Sequence, residues 1–160
     1  MNKAELLQRI IDTLTFDLDV AQRAAQTAYE TATAEENIAE NKYDTLGLEA
    51  SYLATGQARR MEEIRQARAA YQQLMLRDYD PARGIQISNL VSLEAENGSC
   101  QHLFIGPEGA GLKIGQGEQL VTVITPRSPL GQNLMGKHED DEVSLTLAGK
   151  QQCFVVVNVS

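Results

Sequence analysis

Glu35, Glu36, Glu40, Asp44 and Glu49 crowd one stretch of this chain against a single lysine, Lys42. Carboxylates at that density either keep an exposed turn in water or serve as a charged tip carried into a narrow place. Composition alone favours the first reading. What separates the two is the kind of element that carries the cluster.

Both flanks are helical in pattern. From Leu7 the apolar residues step by four and three through Ile11, Leu14, Leu18, Ala21, Ala25, Ala28 and Ala32, the spacing of a coiled-coil seam. Ala50, Ala54, Met61, Ile64, Ala67, Tyr71 and Leu74 repeat similar steps on the far side, with Gln57 the polar member of that stripe. The economical arrangement is an antiparallel hairpin of two helices with the acidic cluster at its turn. The seam shrinks from Leu and Ile to Ala, so the helix axes can approach more closely toward the tip. From Leu7 to Glu40 such a helix is roughly 50 Å long at 1.5 Å per residue, more than a small core needs.

A different pattern begins after the helices. Asp80-Pro81 interrupts the helical text, because proline lacks a backbone donor and biases its predecessor out of the helical region. The expected organisation is a coiled-coil hairpin over residues 1–78 with its acidic tip near 35–49, a linker over 79–84 and a second domain over 85–160. In that second part Ile85 to Val91, Gln101 to Ile105, Gln119 to Thr125, Glu142 to Leu147 and Cys153 to Val159 read as strands. Ser128-Pro129 reads as an N-cap followed by proline at the first helical position, so one short helix is expected there. The fold class is α+β, with a small antiparallel sheet covered by one helix.

The net charge of −8 leaves no basic excess for binding nucleic acid through its phosphates, so independent DNA binding is not expected. Met1-Asn2-Lys3 leads into an amphipathic helix rather than an apolar signal core, and no run approaches ~20 apolar residues. A soluble cytoplasmic protein without membrane association is the expectation.

The stretch V-I-T-P-R-S-P-L-G-Q-N-L-M-G-K-H-E-D-D-E-V, Val123 to Val143, resembles the C-terminal domain of the bacterial Gre-type transcript-cleavage factors. It shares their serine-proline-led short helix, glycine-lysine pair and acidic turn before a valine-rich strand, and the helical hairpin in front completes the family's domain order. The resemblance implies an FKBP-like C-terminal domain that docks at the rim of the secondary channel of bacterial RNA polymerase. The matching segment puts Ser128, Pro129, Leu130, Gln132, Asn133 and Lys137 forward as docking residues. It also implies a hairpin that enters the channel, close to nascent RNA, and presents carboxylates to the Mg²⁺ of the polymerase active centre.

Family cleavage factors carry an aspartate, two residues, then glutamate-asparagine at the tip. Here Glu40-Asn41 takes the glutamate-asparagine place and Asn37 falls on the aspartate. An amide oxygen can face a magnesium ion but brings no charge, so the second ion of a two-metal centre would be held less well. Glu36, beside Asn37, is the residue able to compensate, which makes Glu36 and Glu40 the candidate catalytic and metal-facing carboxylates. Tyr43 stands one residue early relative to the family, between Lys42 and Asp44, and Glu35, Asn37, Asn41, Tyr43 and Asp44 complete the tip. The reading is a transcription elongation regulator with no cofactor and no enzymatic activity in isolation. The alternative is a true cleavage factor, whose RNA hydrolysis would use the polymerase's own active site.

The remaining motifs have plainer readings. Gly106-Pro107-Glu108-Gly109-Ala110-Gly111-Leu112-Lys113 departs from a phosphate loop, since its lysine is one place late and Ile114 replaces the magnesium-holding hydroxyl, so a hairpin-like connection is expected. Cys100 and Cys153 read as buried free thiols, with a disulfide between them as the alternative. His102 reads as a structural strand residue and His138 as part of a solvated acidic turn, while Arg59, Arg60, Arg65 and Arg68 interleave with Glu62 and Glu63 as intrahelical pairs. A peptidyl-prolyl isomerase or chaperone-like module is disfavoured, because the second half supplies only Phe104 and Phe154 to line an aromatic pocket.

Overall fold

A computed structural model describes residues 2–33 and 46–160, with side chains described for 2–31 and 55–160. Helix α1 spans Lys3–Thr33 and α2 spans Leu46–Gln72. Six strands follow, β1 Leu90–Ala95, β2 Cys100–Ile105, β3 Lys113–Ile114, β4 Val121–Ile124, β5 Glu142–Leu147 and β6 Lys150–Val159, with α3, Pro129–Leu134, between β4 and β5. The α+β order expected from the sequence is therefore present. No helix is long and apolar enough to cross a membrane among the described residues.

The chain divides into two compact units, Ile11–Ala69 on the one hand and Met1–Ile10 with Ala70–Ser160 on the other. In the helical unit Leu14, Leu18, Ala21 and Ala28 of α1 and Ile64 and Ala67 of α2 are buried, which is the expected seam. At the start of α1 the buried residues are Leu6 and Ile10, with Leu7 and Ile11 half-buried. These first turns belong to the β-containing unit, where a different neighbour selects a different face. Helix α2 stops at Gln72, short of the residue 78 expected as the end of the hairpin. Its exit is fixed by tertiary bonds: Arg77 N donates to Ser88 Oγ at 2.9 Å, and Lys3 Nζ donates to the carbonyls of Arg77 and Ser88.

The sheet order is β3-β4-β2-β1-β6-β5. It is mixed rather than wholly antiparallel, since β2 and β4 run parallel with Phe104 opposite Val123. Parallel neighbours need a long crossover, and residues 106–120 supply it. The glycine-rich stretch is accordingly no hairpin, because β4 lies between β2 and β3, and it is β3 and β4 that pair antiparallel. Residues 85–89 are not strand either. Ser88 has φ of 78° and Asn89 Oδ1 accepts from Gln86 N at 2.7 Å, a turn that β-propensity does not anticipate.

One face of the sheet holds the apolar core, with Val91, Leu93, Leu103, Ile105, Val143, Phe154 and Val156 packed under Leu134 of α3. Cys100 opens β2 beside the β1–β2 turn, where the strand's first two residues are exposed and its last three buried, and Cys153 is half-buried, so the expectation of buried thiols fails because of position along the strand. Both cysteines are free.

Candidate docking segment and tip

Helix α3 is built by its cap. Ser128 Oγ accepts from Gly131 N at 3.2 Å and donates to Thr125 O at 2.7 Å, while Ser128 N donates to the same carbonyl at 3.0 Å. Pro129 occupies the first turn, where its missing N–H has no partner to lose. Leu134 faces inward with no exposure, and Leu130 is half-buried against the same core. Gly131 has a specific role, since a Cβ there would overlap the carbonyl oxygen of Thr125. Sequence reading passed over Gly131 and the buried Thr125. The signal was available, because glycine inside a short helix weakens it unless a close approach requires it.

The segment's far end is clasped to Ile85. Gly136 N donates to Ile85 O at 2.9 Å, and Ile85 N donates to Lys137 O at 2.8 Å. Gly84, with φ of 78°, lets the two strands of this clasp touch, since its Cβ would meet Gly136 O. The backbone of Lys137 is thus fixed while its side chain is exposed.

Of the docking candidates, Ser128 and Leu130 are half-buried, and Pro129, Gln132, Asn133 and Lys137 are exposed. Ser128 and Leu130 therefore set the shape of the segment, and the other four form its outer surface. Two of these are also tied down: Gln132 Nε2 donates to Arg127 O and Asn133 Nδ2 to Ser144 O, each at 3.2 Å. Beside the segment, Leu74, Met75, Ile87, Pro107 and Met135 line an open concavity of about 540 Å³, with Gln73, Arg77 and Gln86 as its polar border. Met75 is 74% exposed there. Arg127, immediately before the segment, forms a 2.9 Å ion pair with Glu108.

Several tip candidates, Glu35, Glu36, Asn37, Glu40, Asn41, Tyr43 and Asp44, lie outside the described residues, and with them the carboxylates put forward to face Mg²⁺. Among the described residues no three His, Cys, Asp or Glu side chains are grouped so as to hold a metal. His102 is half-buried with Nδ1 2.8 Å from Ser92 Oγ, and His138 Nδ1 lies 3.6 Å from Asp141. Arg65 pairs with Glu62 one turn away, as its spacing suggested.

No family profile and no curated protein sequence matches the chain. Several solved structures are similar to it. A structure of the transcription factor Gfh1 matches at 21% identity over 94% of this chain and 93% of its own, with a TM-score of 0.40. Gfh1, GreA factor homolog 1, of Thermus thermophilus matches at 19% identity over 94% of each chain, with a TM-score of 0.39. The transcription elongation factor GreA/GreB of Nitrosomonas europaea matches at 16% identity over 61% of this chain and 78% of its own, with a TM-score of 0.36.

Proposed function

We propose that this chain regulates transcription elongation by binding bacterial RNA polymerase at its secondary channel. The C-terminal part, read as an FKBP-like domain, docks through the Ser128 to Lys137 segment, and the acidic stretch of sequence between α1 and α2 is presented to the active centre. The observation that carries the reading is the Ser128-capped helix α3. It stands in the stretch Val123 to Val143 that resembles the Gre-type factors, and it exposes Pro129, Gln132, Asn133 and Lys137 beside an apolar concavity. A protein surface with an apolar centre and a polar border suits a protein partner better than a small substrate. Mg²⁺ bound by the polymerase would supply the Lewis acid for any phosphodiester hydrolysis, with Glu36 and Glu40 of this chain as its added carboxylates.

Native gel or crosslinking with core polymerase tests the first step. Association is expected at roughly micromolar protein, and none at roughly tens of micromolar would refute the reading. The Glu40-Asn41 pair favours a second reading, stimulation of transcript cleavage, and RNA release from a stalled, backtracked complex separates it from regulation without cutting.

A further inference from the structure

The turn joining β1 to β2 contains Asn97-Gly98, the only asparagine followed by glycine in the chain. Asn97, Gly98 and Ser99 are all exposed. Gly98 has φ of 83° and open space where a Cβ would stand, so no side chain shields the turn, and its amide is held only by a 2.9 Å bond to Ala95 O. Asn97 Oδ1 accepts two hydrogen bonds, from Ser99 N at 2.9 Å and from Ser99 Oγ at 2.6 Å. Both donors point at the oxygen on which negative charge would form if a nucleophile added to Cγ, and donors so placed stabilise that charge.

We propose that Asn97 is a self-modification site, at which Ser99 promotes conversion of the amide to aspartate and isoaspartate. The Gly98 amide first releases its 2.9 Å bond to Ala95 O and gives its proton to solvent base. Its nitrogen then forms a bond to Asn97 Cγ, and the electron pair of the carbonyl moves onto Oδ1, where Ser99 holds it. As the carbonyl reforms, the Cγ–Nδ2 bond breaks and Nδ2 leaves as ammonia with a proton from solvent, closing a five-membered imide. Water opens that ring at either carbonyl. Addition at Cγ gives aspartate, and addition at the main-chain carbonyl gives isoaspartate, so the net change is loss of ammonia and uptake of water. Either product places a new carboxylate next to Glu96, at the rim of a concavity also lined by Cys100 and Cys153. The isoaspartyl product also lengthens the backbone of a turn held by Ala95 N to Ser99 O at 2.8 Å.

The test is incubation of the folded, full-length chain at neutral and mildly alkaline pH, with peptide mapping that distinguishes aspartate from isoaspartate. Both products are expected at position 97, ahead of every other asparagine and faster at higher pH. Ser99→Ala removes the hydroxyl donor and is expected to slow conversion by about twofold to tenfold, the size of one hydrogen bond at an exposed site. Asn97→Gln should abolish modification there. A folded chain that keeps its amide while the urea-unfolded chain loses it would overturn the proposal, as would an unchanged rate in Ser99→Ala.

Discussion

Tyr71 donates its phenolic hydrogen to the carbonyl oxygen of Glu108 at 2.5 Å, across a gap that Gly106 keeps open, because a Cβ at Gly106 would overlap the Tyr71 hydroxyl. Tyr71 itself has no exposure. Tyr71→Phe keeps the ring but strands the acceptor, and should cost about 1–3 kcal/mol in a denaturant titration. Gly106→Ala should cost about 2 kcal/mol or more, since neither backbone nor ring can give way easily.

The same hydroxyl makes stability depend on alkaline pH. Burial pushes its ionisation well above the usual tyrosine range, and the negative charge of Glu108 adds to this. With the folded value raised, the contribution is fully present below about pH 10, where the unfolded phenol begins to ionise, and is lost as pH rises further. Denaturation midpoints measured up the alkaline range should fall, and Tyr71→Phe should fall less steeply.

Helix α3 should stand or fall with its cap. Ser128→Ala should lose about 1 kcal/mol, and Gly131→Ala more, because the added methyl meets Thr125 O. If α3 is the docking element, both should weaken polymerase association beyond their effect on folding. Lys137→Glu, which changes an exposed side chain and leaves the Ile85 clasp alone, should weaken association with no change in denaturation midpoint.

The tip substitutions separate regulation from cleavage. Asn37→Asp should raise RNA release from a backtracked complex at limiting Mg²⁺, because a second carboxylate offsets repulsion between neighbouring ions. Glu40→Gln should remove whatever release the parent shows while leaving association intact. A magnesium titration of both variants reads the difference.

Cys100 should react with a colorimetric thiol reagent in the native protein, and Cys153 more slowly, in line with their exposure. A native chain in which both thiols wait for unfolding would contradict the outward placement of Cys100.

What was legible in the sequence followed from strong periodicity. Leu14 to Ala28 declared a helix seam, Ser128-Pro129 declared a helix start, and the alternation of Glu142 to Leu147 gave β5 to the residue. The misreadings share a cause in long-range contacts. Ile85 and Ile87 look like strand, yet Ser88 is turned into the left-handed region and is buried, with its hydroxyl bound to Arg77 N and its carbonyl to Lys3 Nζ. Lys3 carries the imprint of that environment, since burial lowers its pKa and the nearby Asp78 carboxylate partly counters this. No local pattern announces a partner more than seventy residues away. The parallel β2–β4 pair was hidden for the same reason, because strand direction depends on a crossover whose glycines look like those of a hairpin.

Asn133 has one further consequence. Strand β5 is one of the two outer strands of the sheet, and such a strand offers its unpaired carbonyls and amides as a template on which another chain can lay down a strand. The Asn133 side chain occupies the Ser144 carbonyl in the middle of that template. Removing that amide would leave the carbonyl open, so Asn133→Ala should make this edge more prone to pair with another chain, whichever partner the surface takes.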